Sequence, residues 1–148
     1  MAIDKRSGFS TQKIRKIVKQ LEERHIIWGY TFVTNVVKMN EQRFILWIKR
    51  TNEPLDKKIM DKKGSMSLEV LAHPLGLHIV SSYYVHGTYD WIIVFTAKDL
   101  KHARKFCNVL NTEFPGVILQ YEIQQILNCV REQFIFNPNR KRLQELME

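Results

Sequence analysis

From Thr11 onward the apolar residues fall at Ile14, Ile17, Val18 and Leu21, the i, i+3, i+4, i+7 spacing of a helix with one apolar stripe. Ser10 stands before the stripe and can accept a backbone N–H bond, so the pattern predicts a helix over residues 10–24, with Gln12, Arg15, Lys16 and Lys19 on its polar side. The following stretch, IIWGYTFVTNVV, is β-branched and aromatic and predicts a strand, with Gly29 as a bend or bulge. Met-Asn-Glu-Gln at 39–42 reads as a turn before the strand RFILWIKRT. Residues 54–74 read as a helix through Leu55, Ile59, Met66, Val70 and Leu71, broken or kinked at Gly64-Ser65. LHIVSSYYV, a tight turn at HGTYD and WIIVFTA make a hairpin of two long strands. Asp99 caps a second helix with the stripe Leu100, Ala103, Cys107, Leu110 and Phe114; Pro115-Gly116 ends it, and VILQYEIQQILNCV is the last strand. The tail from Pro138 offers Leu143, Leu146 and Met147 to a short amphipathic helix.

After residue 42 the order is β-α-β-β-α-β. That is the ferredoxin-like arrangement of the α+β class: an antiparallel four-stranded sheet with two helices on one face. The strands carry apolar residues on both parities, as in Phe44/Ile45, Ile79/Val80, Ile92/Ile93 and Ile126/Leu127. Two helices cover one face only, and a solvated second face alternates to polar. A second copy of the same sheet is the simplest cover, giving a dimeric α/β sandwich with outward positions such as Ile93 and Ile126.

The 148 residues are 45% hydrophobic and 26% charged, enough apolar material for a core and too few Pro and Gly for disorder. No apolar run reaches the ~20 residues of a membrane span, and the amino terminus lacks a signal-peptide stretch. A cytoplasmic protein with no membrane partner is expected. Cys107 and Cys129, without CxxC spacing, read as two buried thiols in a reducing compartment. The net charge of +8 favours polyanionic partners, and residues 1–25 hold seven Lys or Arg against three Asp or Glu.

Two stretches carry a resemblance to a known family. SGFSTQKIRKIVKQLEERHIIWGYT is similar to the turn, recognition helix and first wing strand of the helix-turn-helix in leucine-responsive/AsnC (Lrp/AsnC) transcription regulators of prokaryotes. VSSYYVHGTYDWIIVF resembles the signature hairpin of their effector domain, with its Gly-x-aromatic-Asp turn at Gly87, Thr88, Tyr89 and Asp90. Together with the element order the resemblance spans residues 7–135. It implies a remnant winged helix-turn-helix over 1–38, a ferredoxin-like effector-binding and assembly domain over 39–137 and a basic tail over 138–148. Sequence-specific binding to double-stranded DNA through Ser10, Thr11, Gln12, Arg15, Lys16 and Lys19 follows, as does contact with an amino acid or similar small metabolite through His86, Gly87, Thr88, Tyr89 and Asp90. A homodimer or a higher ring of dimers is implied too.

The departures from the family are specific. Only nine residues precede Ser10, so the two supporting helices of such a unit have no room and the amino terminus reads as trimmed. Ile17 stands where most relatives carry Arg, His25 where they have Gly, and LQYEI where they often have a pair of Thr near the effector pocket. The alternative is therefore a stand-alone effector-binding and oligomerisation module, acting by mixing with full-length relatives. At the basic helix a solvated face competes with DNA contact, and at HGTYD a hairpin turn with an unusual Gly87 backbone angle competes with a ligand site in which Asp90 receives an amino group. The histidines are scattered, and no metal or other cofactor is expected. Trp28, Trp47 and Trp91 read as core or interface anchors rather than stacking platforms. Neither a nucleophile–base pair nor a phosphate loop is recognisable, so no enzyme is expected.

Overall fold

A computed structural model describes residues 8–54, 68–138 and 145. The chain divides into two compact units, residues 1–33 and 34–148.

In the first unit, helix α1 spans Thr11–Glu23. Ser10 caps it as expected: its backbone is extended and its Oγ accepts from the Lys13 N–H at 3.4 Å. At the other end His25 is left-handed at φ 53°. The Ile26 N–H reaches the Leu21 carbonyl and the His25 N–H reaches that of Glu22, both at 2.9 Å, the paired closure of a Schellman end. Position 25 thus has the backbone that favours glycine, although histidine fills it. Beyond the helix the strand expected over IIWGYTFVTNVV is absent. Residues 27–35 form no ladder, and Val36–Met39 is a 3-10 turn. β-branched and aromatic composition favours a pleated, paired surface, and these residues have no strand beside them to pair with. Nor is Trp28 a core residue: it is 94% exposed. It joins Glu22, His25, Ile27, Gly29 and Tyr30 around an open hollow of about 480 Å³.

The second unit is built on a four-stranded sheet of β1 (Gln42–Arg50), β2 (His78–Tyr84), β3 (Trp91–Ala97) and β4 (Ile118–Ile126). Every pairing is antiparallel and the order is β2-β3-β1-β4. Helix α2 (Leu68–Ala72), which runs into the 3-10 turn His73–Leu75, and α3 (Leu100–Glu113) pack against one face. This is the ferredoxin-like arrangement of the α+β class. Most of the helix expected over 54–74, and the amphipathic tail apart from Pro138 and Glu145, lie outside the described residues. The two short strands β5 (Arg131–Glu132) and β6 (Ile135–Phe136) form a separate hairpin, so the last strand of the main sheet stops at Ile126, short of Val130.

The core lies between sheet and helices. Phe44, Leu46 and Ile48 of β1 and Ile93 and Phe95 of β3 meet Ala72 of α2 and Ala103, Phe106, Cys107 and Leu110 of α3. Phe106 is fully buried although the stripe expected on this helix omits it, whereas Leu100 at the first turn is exposed. Burial pushes the Cys107 thiol up to about 11 and makes it inert. Cys129 is only half-buried, and both cysteines are free. Ile93 is also a correction: it faces the helices, and its neighbour Ile92 faces outward. Along a strand the face alternates at every residue, so an error of one position reverses the assignment.

The outer face is apolar in the middle only. Ile45 and Trp47 of β1 and Ile92 and Val94 of β3 are half-buried there. The edge strands present His78, Ser81 and Tyr83 on β2, and Gln120, Glu122 and Gln124 with Ile126 on β4. The expected second apolar parity fails at both edges for a local reason. Val80 sits in a register shift between Ile79 and Ser81, and Leu127 lies past the end of β4. Near Ile126, Arg43 turns to this face and pairs with Glu132 of the β5–β6 hairpin, which ties that hairpin to the start of β1.

Asp99 caps α3. Its Oδ1 accepts from the His102 backbone N–H at 2.9 Å, and the His102 Nδ1 lies 2.7 Å away. The His102 ring first, and then its backbone N–H, holds the carboxyl below its ordinary value. A carboxylate lowered in the folded state stabilises the fold above its ordinary pKa, and that contribution is lost as pH falls through the lowered value. Asp99→Asn, which keeps a capping oxygen but no charge, is therefore expected to flatten the acid limb of stability. Urea melts between pH ~6 and ~2 check this, and an unchanged acid limb refutes it.

Candidate functional site

Two surfaces carry the residues singled out from the sequence. On α1, Gln12, Arg15, Lys16 and Lys19 are all exposed, as are Ser10 and Thr11 at its amino-terminal end. At 3.6 residues per turn the four side chains spread over an arc of roughly 100°, opposite the stripe in which Ile14 is buried and Val18 and Leu21 are half-buried. Ile17, at the margin of the stripe, is exposed. No acidic residue occupies the first turn, and the one ion pair described on this face, Lys19 to Glu23 at 3.8 Å, is solvent-exposed. Such pairs are worth little, so the face keeps its positive charge.

The second surface is the turn between β2 and β3. His86, Gly87 and Thr88 are exposed, and Tyr89 and Asp90 are half-buried. Asp90 is anchored on three sides. Its N–H donates to the Ile48 carbonyl at 2.9 Å, its carbonyl accepts from Val85 at 3.0 Å, and its Oδ2 accepts from the Arg50 N–H at 2.8 Å. The carboxylate thus clamps the hairpin to the end of β1. Gly87 lacks the unusual backbone angle expected of it: its φ is not positive, and a Cβ there would meet open space. Neither conformation nor packing demands glycine at this position.

The turn also gathers residues that sequence reasoning did not put into a site. Tyr89 crosses β1 to reach β4, its ring 5.5 Å from that of Trp47 at 47°, and its hydroxyl donates to Glu122 Oε2 at 2.7 Å. Gln124 Nε2 donates to Glu122 Oε1 at 2.7 Å, and Trp47 Nε1 donates to Gln124 Oε1 at 3.2 Å. The hydrogen bond from Tyr89, then that from Gln124, holds the Glu122 carboxyl below its ordinary value; the same Tyr89 bond raises the phenol. Glu122 is thus held in its charged form by two neutral donors, Tyr89 and Gln124. One signal for it was available, since Glu122 is the one charged residue in β4. Its neighbours were not legible, because Trp47 faces Glu122 only through the β1–β4 register.

Among the described residues no group of three His, Cys, Asp or Glu could hold a metal ion, and no helix is long and apolar enough to cross a membrane.

Solved structures similar to this chain include Lrp/AsnC regulators. The feast or famine regulatory protein of M. tuberculosis, complexed with L-methionine, matches with a TM-score of 0.64 and 18% identity over 93% of this chain and 85% of its own. LrpC of B. subtilis matches with a TM-score of 0.60 and 16% identity over 88% and 82%. An AsnC family transcriptional regulator of Agrobacterium tumefaciens matches with a TM-score of 0.63 and 16% identity over 88% and 80%. No protein-family model and no curated protein matches the sequence. At these identities the likeness establishes the fold.

Proposed function

We propose that this chain is an Lrp/AsnC-type transcription regulator of the cytoplasm. It binds double-stranded DNA through α1 and responds to an amino acid or similar small metabolite at the 86–90 turn. Fold by itself does not imply function. The observation that carries the reading is the exposed, net basic face of α1, which stands in a chain with the fold of transcription regulators. Gln12 and Arg15 near the helix start have the chemistry to read base edges, and Lys16 and Lys19 to bind phosphates. The first turn of α1, free of acidic residues, presents backbone N–H groups to a phosphate alongside Ser10 and Thr11.

Self-association through the outer face of the sheet belongs to the same reading, since Ile45, Trp47, Ile92 and Val94 form a continuous apolar centre there. A homodimer, or a ring of dimers, buries it. One observation favours the second reading, an effector-binding and assembly module without DNA binding of its own that mixes with full-length relatives. Residues 8–33 contain a single helix among the described residues, and a recognition helix is ordinarily held by others.

Solution mass and a DNA shift assay at stated salt separate the two. The regulator is expected as a dimer or larger at micromolar concentration and retards duplex DNA; the module assembles and does not retard it. A stable monomer refutes the assembly proposal in either reading. Ile92→Glu places a charge at the centre of the outer face and is expected to yield monomer or aggregate in the same measurement.

A further inference from the structure

We propose that self-association pairs Glu122 of one copy with Lys49 of a second copy, reciprocally, on the outer face of the sheet. This rests on the reading of that face as the self-association surface.

Register puts both residues there. Phe44, Leu46 and Ile48 of β1 face the core, so Ile45, Trp47 and Lys49 face outward. Glu122 stands opposite Trp47 on β4, and Gln120 stands opposite Lys49. Glu122 is exposed and Lys49 half-buried in the single chain. A second copy seated on Ile45 and Trp47 takes both charges out of water along with the apolar centre.

Charge then decides what Glu122 must meet. Interface cores are depleted of charge, because a carboxylate leaving water needs a cation in place of its hydration. Tyr89 and Gln124 donate to Glu122 at 2.7 Å each and hold its carboxyl below its ordinary value, so it is charged near neutral pH. Both donors are neutral, and no ion pair among the described residues includes Glu122. A carboxylate offers about four acceptor sites, so two hydrogen bonds leave capacity for an ammonium group.

Elimination among the described cations near this face leaves Lys49. Arg43 is taken by Glu132, and His78 lies 3.6 Å from Glu41. Arg131 alternates to the side of the β5–β6 hairpin opposite Glu132, where its guanidinium lies over the rings of Phe136 and Phe134 at 4.9 and 5.7 Å. Lys49 has no ion pair among the described residues, and none joins it to Glu122 of its own chain. Symmetry supplies the reciprocity. In a two-fold dimer one patch serves both copies, so a contact of residue i with residue j recurs as j with i. A patch with one acid and one base, a single row apart on neighbouring strands, complements itself when the axis passes between them. Packed sheets lie about 10 Å apart, a gap that a lysine and a glutamate reaching toward each other can span.

Sedimentation velocity at micromolar concentration tests this on the full chain, Glu122→Lys and Lys49→Glu. Each variant alone sets like charges against one another and is expected to associate at least roughly thirty-fold more weakly, the loss on breaking a buried charge pair. An equimolar mixture of the two is expected to recover dimers, because each reversed side chain then meets its opposite in the other copy. A pair formed within one chain cannot be repaired by mixing. Variants that each associate like the parent, or a mixture that stays monomeric, overturn the proposal, while a dimeric parent keeps the self-association reading. A monomeric parent removes both. Should either reversal fail to fold, Glu122→Gln and Lys49→Gln decide instead. Losses of association that do not add in the double variant uphold the pair, and additive losses overturn it.

Discussion

Replacing Phe106 by alanine is expected to cost about 3–5 kcal/mol of unfolding free energy, a large share of the ~5–15 kcal/mol that holds a domain of this kind. Phe106 is fully buried on α3, and its ring meets Phe95 edge-on with centroids 5.2 Å apart. Phe95 in turn stacks on Phe44 at 5.8 Å, so one column of three rings runs from the helix through β3 into β1. Truncation removes the apolar area and the aromatic pair together and leaves a cavity that the flanking strands cannot close. Phe106→Leu, which keeps most of the volume, is expected to cost roughly 1–2 kcal/mol, near the range of a core swap that conserves volume. Val70→Ala, at an exposed position of α2, is expected to stay within about 0.5 kcal/mol. Urea melts of the three variants measure this order. A Phe106→Ala protein within about 1 kcal/mol of the parent would show that α3 is not seated as described.

The steepest functional effect is expected in the salt dependence of DNA binding. Each neutralised phosphate contributes a slope of about −0.9 to log K against log salt. If Lys16 and Lys19 each meet one phosphate, the slope is about −1.8, and affinity falls roughly twelve-fold between ~50 and ~200 mM salt. Lys16→Ala and Lys19→Ala are each expected to flatten the slope by about one unit and to weaken binding uniformly across sequences. Gln12→Ala or Arg15→Ala is expected instead to relax sequence choice, at about 1–3 kcal/mol of lost discrimination where either side chain reaches a base edge. The four variants leave the apolar stripe through Ile14 intact, so the helix itself should persist. Fluorescence anisotropy over a salt series, on a fixed operator candidate and on random duplex, separates the effects. A slope unchanged by both lysine variants would remove α1 from the interface and leave the assembly module as the reading that stands.

Much of this architecture is decided within a few residues of chain. Ser10 and Asp99 start their helices because each offers a side-chain oxygen to an N–H three residues on, and Pro115-Gly116 closes α3, with Gly116 left-handed. The polar face of α1 follows from a period of 3.6, and the order β-α-β-β-α-β was legible because each element carries its own periodicity. The left-handed backbone at His25 fits the resemblance read from the sequence, which implies glycine at that helix end.

What only the tertiary structure decided depends on partners distant in sequence. Whether Ile92 or Ile93 faces the core turns on the pairing of Ile93 with Leu46, and periodicity cannot set that phase when both neighbours are isoleucine. Residues 27–35 have strand composition and form no strand, because a ladder needs a second chain segment and composition cannot supply one. The Trp47–Tyr89–Glu122 corner brings together residues 42 and 33 positions apart along the chain, through the β1–β4 register and the fold of one turn across β1. Sequence determined the elements and their polarity, since these rest on local hydrogen bonds and helical or strand period. The site had to wait for the fold, since register and strand order are set by the packing of the whole sheet.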